Sequence, residues 1–586
     1  MGRTGRCSLH TSTGEQKFKT LRESRYMTDK QAVAMVQERW NVADRGREQY
    51  AEQAIENEKL YRAYIDETSH PYLSNICLPW PYIIVESYLG KCIQMLASML
   101  PYVRVVEEDD ASRQKAKIVE KDANMCLYLQ KWPILAYKLY KQAFKYPCGW
   151  LEIDPWGTVN GREMPIFKVR NWFNTWVNPT ITEMDDPDAF IIAIDYVPAW
   201  ILKGYANNPN YKNINKIRIH EGEIYTNEEQ TVRSFKTIPS RENDKYSELV
   251  KVTRYWSYRD FIVMTGEGNI IRNDGENFLG SLPFKAITPI PLDDEFYGMS
   301  ILEEGKGLFD EINENENQFN DAVNLMLNPQ WIVSRGADVK KSTIIAKSGG
   351  ILFTDDVNGV TPMKVDWNIL TAALQRKSRI EMDIQNYSNA FPQMRGQSVA
   401  GGSDTATEYV GMKQAGELRA DTYNLLLSMM SVEDMVRDIV KYKKMFMTDP
   451  NGFYYWPESQ SITATPEDYE GNFTFKAVSQ YKMSKEIERK QLIEAMTLVF
   501  GNQAFLPFVV PRADQWLGRL LDYFGIRDTE QLFASPEEQQ MQQLMMMLTG
   551  GMQGGGQQPA LGEREMRMPE GSPNPALMGE IGGMLG

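Results

Sequence analysis

Between residues 298 and 446 the chain carries three long amphipathic stretches, the first two separated by a short β-like stretch and the last two by a glycine-rich loop. Few architectures accommodate that order. In residues 298–327, Leu302, Leu308, Ile312, Phe319, Val323 and Met326 recur near the helical period, and most other positions are acids or asparagines. About 27 helical residues would span ~40 Å, and Asn328-Pro329 should end them. Residues 328–365 hold Trp331-Ile-Val, Gly349-Gly-Ile-Leu-Phe353 and an Asn358-Gly359 turn signal. Asp366 then suits an N-cap for a second rod to about residue 390, with Ile369, Leu370, Ala373, Ile380, Ile384 and Tyr387 on its apolar face. Pro392, Gly396, Gly401 and Gly402 make residues 391–404 a mobile loop by composition. Thr405-Ala-Thr-Glu408 has capping-box spacing, and the pattern beyond it continues to about Phe446, ~60 Å if uninterrupted. Rods with such modest apolar stripes need neighbours, and a closed ring supplies identical ones.

The flanks are mixed. Residues 28–67 read as amphipathic helix, with two helices joined near residues 41–47 as the expected arrangement; Leu78-Pro-Trp-Pro81 interrupts before a more apolar helix over 82–100. Helices are expected over 111–130 and 134–146, then a hairpin pairing 150–154 with 165–169 around a turn at 157–161. Strand-like runs follow at 189–196, 250–258, 261–265 and 284–287, and later at Tyr454-Tyr-Trp456 and Phe473-Thr-Phe475. Helical patterns return over 484–500 and in three segments between 512 and 548; beyond Gly550 the Gly, Gln, Met and Pro content predicts a disordered tail, as polarity does for the leader. The fold class expected is α+β, mainly helical.

Composition narrows the chemistry. A chain of 586 residues calls for several domains, and a formal net charge of −14 argues against a protein built to grip nucleic acid, though not against one that DNA slides past. Five cysteines without CxxC spacing and three histidines suggest neither a disulfide framework nor a zinc site, so no metal or cofactor is expected. No signal-peptide core and no membrane-length apolar run is present, which predicts a soluble protein. Gly305-Lys-Gly307 lacks the spacing of a phosphate-cradling loop, and His220-Glu221 has no second histidine nearby, so no catalytic residue is assigned.

The order of rods, β module and loop resembles that of the portal proteins of tailed double-stranded DNA bacteriophages. Local segments agree: Phe296-Tyr-Gly-Met-Ser-Ile301 followed by Asn313, Asn317, Asn320-Asp321 and Asn328-Pro329 looks like their entry into the stem. Gly349-Gly350 looks like their clip, and Thr405-Ala-Thr-Glu408 like the start of their wing helix. The stretch from Lys141 through Pro147 to Trp150, and Trp176-Val-Asn-Pro-Thr180, look like their wing, although Pro147 stands where related sequences often have glycine. The resemblance implies a leader (1–27), a wing (28–295 and 405–508), stem helices (296–327 and 366–390), a clip (328–365), a tunnel loop (391–404), a helical crown (509–548) and a tail (549–586). It further implies a twelve-subunit ring at one capsid vertex of the virion, assembled in the bacterial cytoplasm. Its partners would be double-stranded DNA, the terminase large subunit, head-to-tail adaptor or tail proteins, and major capsid and scaffolding proteins.

Under this reading Arg395, Gln397, Ser398 and Ser403 meet DNA phosphates without fixing sequence, and Trp331, Lys340 and Lys341 face a docking partner. Glu303, Glu304, Asp310, Glu311, Glu314 and Glu316, with little positive charge nearby except Lys306, would line a lumen or an interface and repel phosphate, keeping DNA from sticking. The plainer account makes these acids the solvated face of an amphipathic helix. Two other functional classes fit the chain less well: a minor capsid or tail component, and a nucleic-acid enzyme whose carboxylates hold metal ions.

Overall fold

The structure is a computed structural model that describes residues 27–65, 74–97, 101–109, 112–218, 225–235, 248–266, 268–327, 331–334, 360–362, 367–388, 418–455 and 460–478. All of these belong to the first of two compact units, Met1–Met483. It is mixed α and β. Residues 1–26, the segments expected as tunnel loop and clip turn, Asp366, and the helices and tail expected beyond residue 483 lie outside the described residues.

The first element is one helix, α1 (Asp29–Tyr61), not the expected two. The 41–47 stretch stays helical because tertiary contacts hold it. Ala43 and Arg47 are buried, the Trp176 indole donates to Asp44 at 2.9 Å, and the Arg47 guanidinium donates to the Trp172 and Thr175 carbonyls at 3.2 and 3.1 Å. Gly46 serves close approach: a Cβ there would sit 2.3 Å from Pro179.

Helices α2 (Trp80–Ala97), α3 (Arg113–Leu129) and α4 (Trp132–Lys145) follow, with the short strand β1 (Val103–Glu107) before α3. Pro81 sits in the first turn of α2, where its missing N–H is harmless. The expected hairpin forms as β2 (Gly149–Val159) and β3 (Arg162–Arg170), longer than its apolar pattern suggested. Asn160 and Gly161 close it with φ of 51° and 78°, the paired left-handed geometry of a tight hairpin turn. Strand β3 is an edge, and helix-borne amides cover it. Gln130 donates to the Pro165 carbonyl and accepts from the Phe167 N–H, at 2.9 and 2.8 Å, while Gln142 donates to the Arg170 carbonyl at 2.7 Å.

A five-stranded antiparallel sheet comprises β4 (Thr175–Val177), β5 (Phe190–Pro198), β6 (Leu249–Ser257), β7 (Phe261–Thr265) and β8 (Asn269–Asn273), in that order, with α5 (Asn227–Phe235) before β6. Alternation along β5 sends Phe190, Ile192 and Ile194 against Ala32, Val36 and Ala43 of α1, and Ile191 and Ala193 into the main core. That core is anchored by Trp132, Trp150, Trp172, Tyr140 and Phe144, all essentially inaccessible. Strand β9 (Phe284–Ile287) pairs with β2, completing a three-stranded sheet. A half-buried charge cluster joins the two sheets: Arg254 of β6 bonds Glu152 of β2 at 3.0 Å and Asp195 of β5 at 2.8 Å, and Arg170 reaches the same carboxylates.

Two 22-residue helices, α6 (Lys306–Leu327) and α7 (Trp367–Ser388), then pack together, and β10 (Trp331–Val333) pairs antiparallel with β11 (Val360–Pro362). Residues 418–428 are helical, pass through a π turn at Met429–Glu433, and continue as α8 (Asp434–Phe446), ending where the pattern predicted. The chain closes with β12 (Asn451–Tyr455), β13 (Gln460–Ala464) and β14 (Phe473–Ala477). Strand β14 returns to pair with β1 across more than three hundred residues. Between α8 and α3, Lys443 and Tyr469 converge on the buried Asp122 carboxylate, with Tyr469 at 2.7 Å.

Candidate functional site

The helix pair emerges from a firmly held base. Phe296 stacks on Trp150 with ring centroids 5.8 Å apart, the Gly298 N–H donates to the Pro147 carbonyl at 3.1 Å, and the Ser300 hydroxyl donates to the Phe144 carbonyl at 2.8 Å. Glycine is required at 298, because a Cβ would lie 2.1 Å from Thr288 Oγ1.

Helix α6 starts at Lys306, not at residue 298 as periodicity suggested, which shortens it to ~33 Å. Residues 298–300 are tied to the body instead, Met299 bridging Ile290, and at Ile301 a side chain from the partner helix intervenes. The Tyr387 hydroxyl donates to the Ile301 carbonyl at 2.8 Å, the acceptor an α-helix would reserve for Gly305; the Gly305 N–H bonds Leu302 at 3.2 Å instead. The Tyr387 ring also packs so closely on Gly305 that a Cβ there would be 2.6 Å away.

Pairings run in opposite directions along the two helices and into the ribbon: Tyr387 with Ile301, Arg376 with Glu311, Lys377 with Glu316, and Pro362 opposite Trp331. The helices are therefore antiparallel. Leu370, Ile380 and Ile384 form the buried seam of α7, and Ile380 and Ile384 join Phe309 and Ile312 in the main core. About 110° around α7 from that seam, Trp367, Leu374 and Met382 are 71%, 49% and 62% exposed, and Ile369 is open as well.

The acids do not form one unopposed face. Glu311 pairs with Arg376 at 2.7 Å and Glu316 with Lys377 at 2.8 Å, cations sixty residues away that the composition of α6 alone did not indicate. Lys306 pairs with Glu56 of α1. Glu303 is half-buried and accepts from the Ser300 N–H at 3.2 Å; burial pushes its carboxyl up despite that bond. Burial also pushes Asp310 up, with Lys306 acting the other way. Glu304, Asp310 and Glu314 remain exposed, the last two four residues apart on one face.

The asparagines have a defined role. The extended segment 74–78 lies along α6, with the Ser74, Ile76 and Leu78 N–H groups donating to Asp321, Asn317 and Asn313 at 2.8, 2.7 and 2.8 Å. Asn317 also donates to the Ile76 carbonyl at 3.1 Å. Four helical residues rise ~6 Å and two extended residues ~6.6 Å, so the two repeats stay in step over three rungs. This ladder was not anticipated; the i, i+4, i+8 spacing of short polar acceptors is its sequence signal.

Of the remaining expected site residues, Trp331 lies on β10, while Lys340, Lys341, Arg395, Gln397, Ser398, Ser403, Thr405 and Glu408 lie outside the described residues. Among the described residues no group of three or more His, Cys, Asp or Glu is arranged to hold a metal ion, and no helix is long and apolar enough to cross a membrane. The described cysteines, Cys77, Cys92, Cys126 and Cys148, are all free thiols, and burial pushes Cys92 and Cys126 up to about 12.

No model of a known protein family matches the chain, and neither does any curated protein.

Proposed function

We propose that this chain is a subunit of a ring-shaped portal at one capsid vertex of a tailed bacteriophage, through which double-stranded DNA is packaged, retained and ejected. In this reading α6 and α7 are the stem, the β10–β11 ribbon belongs to the clip, and residues 391–404 are the tunnel loop. The observation that carries it is the helix pair itself: two antiparallel rods with a paired ribbon beside them, firmly based on a mixed α/β body, and with large apolar side chains of α7 left open to solvent. A monomer gains nothing from exposing Trp367, Leu374 and Met382, whereas adjacent copies around an axis would cover them.

Electrostatics fit the same role. With Glu311 and Glu316 engaged by α7, Glu304 just before α6 and Asp310 and Glu314 on it are exposed acids. Such a surface weakens contact with phosphate, as a conduit for DNA requires. Terminase, adaptor and tail proteins, and the capsid and scaffold would then dock on the ring; the chain would act without catalysis.

Electron microscopy of the purified full-length chain tests this directly, together with a mass measurement on the assembled particle. Rings with a central hole and a mass near twelve subunits are expected. Hole-free particles or a stable monomer would overturn the proposal.

A further inference from the structure

We propose that the cleft between α4, the end of β3 and α5 is a binding site for phosphate-bearing anions. Its cavity of about 400 Å³ is lined by Lys138, Lys141, Lys145, Arg170 and Arg233, with Glu229 the carboxylate among them. The three lysines follow each other by three and four residues, so α4 presents them on one face. Arg170 ends β3, and Arg233 comes from α5.

The carboxylates around this cleft are committed. Glu86 holds Lys141 at 2.7 Å, and Glu58 is shared between Lys145 and Arg62. Glu229 is tied to Arg233 at 3.1 Å and accepts from the Asn174 amide at 2.8 Å. Glu152 and Asp195 are divided between Arg170 and Arg254. Lys138 is exposed and has no carboxylate within ion-pair distance among the described residues, so the cleft keeps a cationic surplus.

The Arg170 guanidinium turns to Glu152 and Asp195 and its Nε is sealed from solvent, so an anion in the cleft would be met by Lys138, Lys141 and Arg233. Burial pulls the Lys141 ammonium down, but Glu86 and Tyr61 more than compensate and hold it charged. The volume suits a small phosphorylated molecule, or a single backbone phosphate presented by nucleic acid. The site is separate from the helix pair and does not rest on the ring proposal.

The test is calorimetric titration of the full chain with inorganic phosphate, pyrophosphate and a short DNA duplex. Saturable binding is expected, tighter for pyrophosphate than for phosphate. Lys138→Glu should weaken it at least tenfold without moving the unfolding midpoint, and Lys138→Arg should restore it. Competition between duplex and pyrophosphate in the parent but not in Lys138→Glu would identify backbone phosphate as the ligand. Pyrophosphate binding that duplex does not displace would identify a small molecule. Failure of every probe to bind, or unchanged affinity in Lys138→Glu, would overturn the site.

Discussion

Replacing Asn317 by leucine isolates the ladder that fastens residues 74–78 to α6. Asn317 is almost fully buried and makes two hydrogen bonds to Ile76, accepting from its N–H at 2.7 Å and donating to its carbonyl at 3.1 Å. Each bond is worth about 1 kcal/mol net, so their joint loss should cost the local structure about 2 kcal/mol. At about 1.4 kcal/mol per tenfold, the Ile76 amide should exchange about 30-fold faster with solvent deuterium. Ile76 is itself 39% exposed, so water can replace part of what is lost, which sets a floor of about 5-fold. Ser74 and Leu78 keep their bonds to Asp321 and Asn313 and should accelerate less. Asn324→Leu, at an exposed position on the same helix, is the control and should leave all three amides unchanged. Hydrogen exchange read by mass spectrometry or NMR makes the comparison. Equal exchange at Ile76 in the parent and in Asn317→Leu, with α6 still helical, would refute the ladder as the fastening element.

Two glycines should respond in opposite directions: Gly298→Ala, whose Cβ would meet Thr288 and the Ile290 carbonyl, should cost about 2 kcal/mol or more in denaturant titration. Gly307→Ala, in the first turn of α6 with open space around it, should gain up to about 1 kcal/mol. Burial pushes the Asp195 carboxyl up, but the Arg254 and Arg170 guanidiniums outweigh burial and hold it below the usual carboxylate range. A depressed folded-state value gives stability that is present above the unfolded-chain value and lost as pH falls through the folded one. Asp195→Asn should therefore lower stability at pH 7 by about 1–3 kcal/mol. Its deficit against the parent should shrink below about pH 4 in thermal unfolding followed across pH. Leu374→Glu and Met382→Glu, at exposed positions, should leave the monomer fold within about 0.5 kcal/mol while abolishing assembly in sedimentation; assembly equal to the parent's would remove α7 from the subunit interface.

Much of the architecture is legible from the chain alone. Strands Phe261–Thr265 and Phe284–Ile287 follow from short strand-like runs, the helix end at Leu327 from Asn328-Pro329, that at Phe446 from where periodicity stops, and the β2–β3 hairpin from its Asn-Gly turn. These signals are written within about ten residues, because backbone period and turn chemistry are local. The acidic character of α6 is legible for the same reason. Only the tertiary structure decides who meets whom. It keeps α1 whole across residues 41–47, because Arg47 and Asp44 find acceptors and donors near Trp172 and Trp176. It delays α6 to Lys306, because Met299 bridges to Ile290 and Tyr387 bonds the carbonyl of Ile301. It sets Arg376 and Lys377 against Glu311 and Glu316, and joins β14 to β1. No local pattern carries those choices, since each depends on which distant surface packs against a residue, and that is settled only when the core closes.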